Sequence, residues 1–129
     1  SSVEYGVQII AAIEKNRPLA ANLNVMNRGL IATLPPECCV EVPCLVDGGG
    51  IVPGRIEDFP EQLAAIDRGM VGAQILGAQG ALDGDRRAIF HAIAADPNTQ
   101  SKLGLDEIRS MTDELFDALA DVIDPRFSR

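Results

Sequence analysis

Residues 19–31 read LAANLNVMNRGLI, and the polarity of their side chains alternates along the chain. A period of two is typical of a strand that has one face buried and one face exposed. The stretch therefore predicts a half-buried strand, and the rest of the sheet is inferred outward from it. The apolar side is formed by Leu23 and Val25, and the other side by Asn22, Asn24 and Met26.

Two further strands are predicted downstream of this one. Pro35-Pro36 interrupts the chain before a second alternating segment, which runs from Cys38 to Val46. The tract Asp47-Gly48-Gly49-Gly50 contains residues that tolerate positive φ, and it should turn the chain into a short third strand at Ile51-Val52. The middle of the chain therefore predicts a small antiparallel sheet.

One helix is predicted before these strands and three after them, because apolar residues recur in those segments at spacings of three and four. Asp58 and Asp85 are suitable N-caps, while Pro18 and Asp96-Pro97 end helices. Small residues between Gly69 and Ala81 should let the second of these helices approach a neighbour closely. The predicted helices span residues 3–16, 58–82, 85–96 and 106–123.

The last predicted helix places its apolar residues on one stripe, which is expected to be buried. The pattern as a whole predicts an α+β fold, a small antiparallel sheet packed against long helices. A chain of 129 residues is long enough for one such domain. The stripe consists of Ile108, Met111, Leu115, Leu119 and Ile123.

Composition excludes several classes of partner. The formal net charge is -8, with 19 acidic against 11 basic residues, so no nucleic acid is expected to bind. No apolar run approaches the roughly 20 residues of a membrane-spanning helix. Cys38, Cys39 and Cys44 are odd in number and crowded, which favours a reducing cytoplasm over a disulfide framework. Since Ser1 is not preceded by a methionine, the chain is expected to be part of a longer protein.

Three asparagines are the candidate binding residues. Asn22, Asn24 and Asn27 are interpreted as a polar row that could hydrogen-bond sugar hydroxyls or a cofactor amide. The alternative is that they satisfy backbone groups at the strand end and in turns. Glu41 carries the same two possibilities, with a salt bridge to Arg28 or Arg55 as its structural role.

Other chemically capable residues do not form a site by their spacing. His91 lacks a metal-binding companion and is expected to be structural or at the surface. The glycines of residues 48–50 precede a strand rather than a helix, so a hairpin turn is favoured over a phosphate loop. Adjacent Cys38 and Cys39 point to opposite faces of a strand, and the cysteines are expected to be buried small residues. The chain alone therefore offers no catalytic, cofactor-binding or metal-binding residue.

A set of segments in a fixed order resembles a known family. They are SVEYG (2–6), IIAAI (9–13), NVMNRGLI (24–31), LP (34–35), CVEVP (39–43), IVP (51–53), QLAA (62–65), GDRR (84–87) and AADP (94–97). Their order and spacing resemble the C-terminal domain of family 4 glycoside hydrolases over nearly the whole chain. Met26 stands where the family usually has proline. Ser1-Ser2 stand where phosphate-recognising members commonly have arginine, so the α-galactosidase and α-glucosidase branch is the nearer likeness.

The resemblance implies an unusual hydrolase that uses NAD and Mn²⁺. In that family NAD oxidises the sugar at C3, a metal ion polarises the new carbonyl, and a base removes the C2 proton. The glycosidic bond is then broken by elimination. The family's fold is similar to malate and lactate dehydrogenases, with an NAD-binding Rossmann half before an α+β half. Its cofactor loop, metal ligands and base tyrosine all precede the matched region. Tyr5 is therefore expected to be a core or pocket-wall residue, and this chain alone is expected to bind neither cofactor.

The resemblance also suggests partners. Glu4 and the asparagine row would line the glycoside site or a subunit contact, and the N-terminal NAD-binding half would be a partner. Further copies in a homo-oligomer are expected for a separate reason, because the apolar stripes on three helices exceed what one small sheet can cover. Two alternatives stay open at this stage. One is the C-terminal domain of a malate or lactate dehydrogenase, and the other is a non-catalytic α+β interaction domain that dimerises through residues 69–81.

Overall fold

A computed structural model describes residues 5–128 of the chain. The chain divides into two compact units, one ending at Ala64 and the other beginning at Ala65. A three-stranded antiparallel sheet and five helices make up the described chain, so the α+β prediction is confirmed. The strands are β1 (Leu19–Met26), β2 (Cys39–Asp47) and β3 (Gly50–Pro53), and the helices are α1 (Gly6–Lys15), α2 (Glu61–Asp83), α3 (Arg86–Ala95), α4 (Pro97–Gln100) and α5 (Leu105–Ala118).

The sheet of the first unit has the order β1-β2-β3 and is antiparallel throughout. Burial alternates along β1 and β2 as the period of two predicts. Helix α1 packs against β2 and buries Ala12 there. The inner side chains of β2, which contribute four residues to this core, are Val40, Val42, Cys44 and Val46.

The predicted glycine turn joins β2 to β3. Asp47 pairs with Gly50, which leaves Gly48 and Gly49 as a two-residue loop, and Gly50 has φ 108°. The Asp47 carboxylate accepts the Gly49 N–H at 2.7 Å, and the Asn16 side-chain oxygen accepts the Gly48 N–H at 2.9 Å. The end of α1 is thereby tied to the hairpin, because Asn16 is also the left-handed C-cap of that helix.

The first strand ends at Met26, so the prediction that it continues to residue 31 was wrong. Arg28 and Gly29 adopt φ values of 43° and 88°, which are incompatible with an extended strand. The Asn27 N–H still donates to the Cys38 carbonyl at 2.8 Å, and the chain then turns away from β2.

The second unit contains a close approach between α2 and α3, as the small residues of α2 predict. A Cβ built on Gly77 would lie 3.6 Å from the Ala92 Cβ, and one built on Gly80 would lie 3.0 Å from the Ala88 Cβ. Glycine therefore allows the two backbones to come together at these positions. Helix α5 buries Ile108 and Thr112 in the same unit.

Caps define the ends of α3. The Asp85 side chain accepts the N–H groups of Arg87 and Ala88, as predicted from its position. Asp96 ends α3 and at the same time caps α4, whose first residue is Pro97. The expectation that Asp96-Pro97 simply stops the helix missed this short extra helix.

The last predicted helix is shorter than expected and its stripe is only partly buried. Helix α5 ends at Ala118 instead of Ile123, and a 3-10 turn follows at Pro125–Ser128. Ile108 is buried, but Leu115 and Leu119 are exposed. The prediction of a fully buried stripe was wrong, since α3 covers only part of this helix.

Candidate functional site

The outer face of the sheet is the surface on which the predicted polar row lies. Helix α1 packs on the other face, so the outer side chains of β1 and β2 are exposed. This surface, called the outer sheet face below, mixes amides, one carboxylate, one thiol and apolar groups. Its members are Ala20, Asn22, Asn24 and Met26 from β1 and Cys39, Glu41, Pro43 and Leu45 from β2.

Strand register brings Asn24 and Glu41 together. Asn24 lies directly opposite Glu41, and Asn22 lies opposite Pro43. Side chains opposite each other on one face have Cβ atoms about 4.5–5.5 Å apart, which lets one amide and one carboxylate act on the same ligand. In residues 5–128 no ion pair joins Glu41 to an arginine. The outer sheet face therefore offers amide donors and acceptors beside a carboxylate.

Asn27 does not continue this row. Its side chain is 0% exposed, and both the oxygen and the nitrogen of its amide form hydrogen bonds to the loop that follows. The Oδ1 atom accepts the Ile31 N–H at 2.7 Å, and the carbonyl oxygens of Ile31, Leu34 and Pro35 each lie 3.0 Å from Nδ2 and share its two N–H donors. The structure therefore places Asn22 and Asn24 on one exposed face and Asn27 inside a loop, where it satisfies backbone groups.

Two other expectations concern the start of the chain. Glu4 lies outside the described residues. Tyr5 precedes α1 and is 49% exposed, so it is not part of the core of the described residues, and its role as a pocket-wall residue stays a prediction. His91 is exposed and its ring lies 5.5 Å from that of Phe90, as expected for a surface histidine.

The cysteines separate by face. None of the three forms a disulfide; Cys38 and Cys44 are buried, whereas Cys39 is exposed on the outer sheet face. The expectation of buried small residues therefore holds for two of them and was wrong for Cys39.

Within residues 5–128, no group of three histidine, cysteine or acidic side chains is placed to hold a metal ion. No helix in that range has both the length and the apolar character needed to cross a membrane.

A second feature was missed by the sequence reasoning. Arg86 and Phe90 on α3, and Arg109 and Phe116 on α5, line one cleft in the second unit. The two residues on α3 are four positions apart and the two on α5 are seven positions apart. Both spacings place side chains on the same face of a helix, so the sequence does indicate that each pair shares a face. The sequence carries no comparable signal that the two helix faces meet.

Comparisons with known proteins agree on one family. Residues 1–99 match the model described as the Family 4 glycosyl hydrolase C-terminal domain. The chain is 40% identical over 120 residues to an alpha-galactosidase of Bacillus subtilis (strain 168), a match that covers 93% of this chain and 28% of that protein.

Solved structures support the same fold. Two crystal structures of a 6-phospho-alpha-glucosidase from gut microorganisms are similar to this chain with TM-scores of 0.78 and 0.79, each at 16% identity. One is a complex with NAD and glucose-6-phosphate and the other a complex with NAD and Mn²⁺. The matches cover 89% and 88% of this chain and 25% of each of those chains. At this identity the likeness is one of fold, and the chain spans about a quarter of the length of the proteins it matches.

Proposed function

The chain belongs to family 4 of the glycosyl hydrolases, as a C-terminal domain, and on that basis we propose that it forms the substrate-side domain of a glycosidase that cleaves O-glycosidic bonds. The observation that carries the proposal is the 40% identity to an alpha-galactosidase across 93% of this chain. It favours a glycosidase over the dehydrogenase and the free-standing interaction domain considered from the sequence.

We infer that the substrate is an α-galactoside or α-glucoside without a phosphate group. The identity to the alpha-galactosidase and the serines at positions 1 and 2 both support this branch. The direct measurement is hydrolysis of an aryl α-galactoside, an aryl α-glucoside and their 6-phosphates by the full-length enzyme. Faster turnover of the two 6-phosphates would reject this choice of substrate.

NAD and Mn²⁺ are assigned to the N-terminal half of the full-length enzyme. The described residues do not fit either group, since they contain no cluster of metal-ligating side chains and no glycine loop that leads into a helix. In the proposed reaction the glycosidic bond is broken by elimination after transient oxidation of the sugar. The present residues contribute only binding and orientation of the substrate. The three cysteines form no disulfide, which fits an enzyme of the reducing cytoplasm.

The outer sheet face is proposed as part of the wall of the substrate site. Asn22 and Asn24 present both donors and acceptors, which suits sugar hydroxyls because each hydroxyl can donate and accept. Glu41 adds an acceptor opposite Asn24, and Glu4 is proposed as a further wall residue. Asn27 would contribute to the wall indirectly, by holding the loop that follows β1.

Kinetics of the full-length enzyme test the wall. Asn24→Ala and Asn22→Ala are each expected to raise KM about tenfold with little change in kcat, since a hydrogen bond lost equally in the ground state and the transition state weakens binding alone. Asn98→Ala, an exposed asparagine on α4, is the matched control and should leave KM unchanged. If KM stays the same in the two wall variants while the free energy of unfolding falls, the face is an interdomain contact instead.

Assembly is the second part of the proposal. Helix α2 exposes six large apolar side chains, and we infer that the N-terminal half and a second copy of the enzyme cover them. Light scattering after size-exclusion chromatography of the full-length enzyme should give a dimer or tetramer. Ile66→Glu should shift it towards monomer while Gln74→Glu should not, and a monomeric wild type would contradict the inference. The exposed side chains are Leu63, Ile66, Met70, Ile75, Leu76 and Leu82.

A further inference from the structure

We propose that the cleft between α3 and α5 binds a tetrahedral oxyanion, a phosphate or a phosphoryl group. The cleft has a volume of about 240 Å³ and lies wholly within the second unit. Arg86 and Arg87 reach it from α3, and Arg109 reaches it from α5. The proposal concerns side chains outside the outer sheet face and does not depend on the substrate wall described above.

Two of the arginines are held in place by aromatic rings of the opposite helix. The Cζ atom of Arg86 lies 4.4 Å from the centre of the Phe116 ring, and the Cζ atom of Arg109 lies 4.4 Å from the centre of the Phe90 ring. A cation–π contact of this kind engages the face of the ring and does not use up the N–H donors of the guanidinium group. Each contact restricts the positions that its guanidinium group can take before a ligand arrives, which lowers the entropy lost on binding.

The positive charge of the cleft is only partly compensated. Asp113 is the one carboxylate in the lining, and it approaches Arg86 at 3.5 Å while its own side chain is 64% exposed. An exposed pair at this distance contributes little, so it competes weakly with a ligand. Within residues 5–128, neither Arg87 nor Arg109 forms an ion pair. Three of the 11 basic residues of a chain with net charge -8 thus converge on one cleft with a single acid.

The arginine side chains, and not the backbone of α3, would hold the anion. The Asp85 carboxylate already accepts the N–H groups of Arg87 and Ala88, at 2.8 and 3.2 Å. Thr112 in the floor donates its hydroxyl to the Ile108 carbonyl at 2.7 Å, so that donor is also in use. Arginine forms paired hydrogen bonds to phosphate oxygens, and several arginines around a small cleft match the oxygens of a tetrahedral oxyanion.

Calorimetric titration of the full-length protein with inorganic phosphate, at an ionic strength kept constant with chloride, tests the proposal. Saturable binding is expected, and Arg87→Gln and Arg109→Gln should each weaken it about tenfold. Asp113→Asn should tighten binding several-fold, because it removes the competing carboxylate; loss of a purely structural contact would not do this. Arg17→Gln, which removes one positive charge from the other unit, should leave the affinity unchanged.

Further arms identify the source of the oxyanion and guard against unfolded variants. Glycerol 3-phosphate should bind at least as tightly as inorganic phosphate if the ligand is a phosphorylated metabolite, and more weakly if it is free phosphate. Arg109→Lys keeps the charge but lacks the planar fork, so weaker binding by a variant that unfolds at the wild-type temperature supports the site. No saturable binding, or binding that is the same in the wild type, Arg87→Gln and Arg109→Gln, would overturn the proposal.

Discussion

The Asn27 side chain forms hydrogen bonds to both backbone groups of Ile31. Asn27 Oδ1 accepts the Ile31 N–H at 2.7 Å, and Asn27 Nδ2 donates to the Ile31 carbonyl at 3.0 Å. The same Nδ2 also reaches the carbonyls of Leu34 and Pro35. A single buried amide thus satisfies backbone groups across the loop between β1 and β2. Ile31 in turn pairs with Ile56 in an isolated parallel bridge, so the loop is connected to the segment that leads to α2.

Asn27→Ala is expected to lower the free energy of unfolding by about 3 kcal/mol, because it leaves several buried backbone groups without a partner. Urea unfolding followed by circular dichroism measures the loss. Hydrogen exchange at the Ile31 amide should accelerate as well, since its acceptor is removed.

Asn24→Ala is the matched control for stability, because Asn24 is exposed on the same strand. Its unfolding free energy should stay within about 0.5 kcal/mol of the wild type. Equal losses in the Asn24 and Asn27 variants would show that the loop does not depend on the buried amide.

Replacing two glycines of α2 by alanine should change the stability of the protein in opposite directions. A Cβ on Gly72 would meet nothing within 4 Å, whereas one on Gly80 would lie 3.0 Å from the Ile89 backbone nitrogen. Gly72→Ala should stabilise the protein by about 0.5–1 kcal/mol through the lower entropy of the unfolded chain. Gly80→Ala gains the same term but forces α2 and α3 apart, and a net destabilisation of about 1 kcal/mol is expected.

Thermal unfolding of the two variants side by side measures this difference. The melting temperature should rise for Gly72→Ala and fall for Gly80→Ala. A rise in both would mean that α3 can move away at little cost, which would contradict the close packing inferred for Gly80.

Asp124 predicts a pH-dependent contribution to stability. Its carboxylate accepts the Arg126 backbone N–H at 2.9 Å and lies 3.1 Å from the Arg126 guanidinium. The backbone hydrogen bond, with smaller contributions from that side chain, holds the pKa of Asp124 below its ordinary value of 3.8. A lowered pKa in the folded state stabilises the protein above the ordinary value, and this stabilisation is lost as the pH falls through the folded-state pKa.

Asp124→Asn should therefore have a lower urea midpoint than the wild type at neutral pH, and the two midpoints should converge in strong acid. Asp121→Asn removes the same charge from a side chain that forms no hydrogen bond within residues 5–128, and it should keep the wild-type midpoint. A gap between Asp124→Asn and the wild type that widens on acidification would have the wrong sign for this account.

Local pattern was sufficient for much of the first unit. The alternation through Leu23 and Val25, and again through Val40 and Val42, predicted both strands and the face that each buries. The glycine tract predicted the hairpin, because a two-residue turn needs residues that adopt positive φ. Asn22 and Asn24 were placed on the exposed face for the same reason.

The sequence by itself determined the three strands, the four longer helices and the buried faces of β1 and β2, since these follow from periodicity and turn chemistry over a few neighbouring residues. Only the tertiary structure decided that Asn27 turns inward, that Asn24 lies opposite Glu41, and that arginines and phenylalanines of α3 and α5 stack across one cleft. These relationships depend on strand register, on helix packing and on the path of the loop after β1, and none of them leaves a periodic trace in the order of the amino acids.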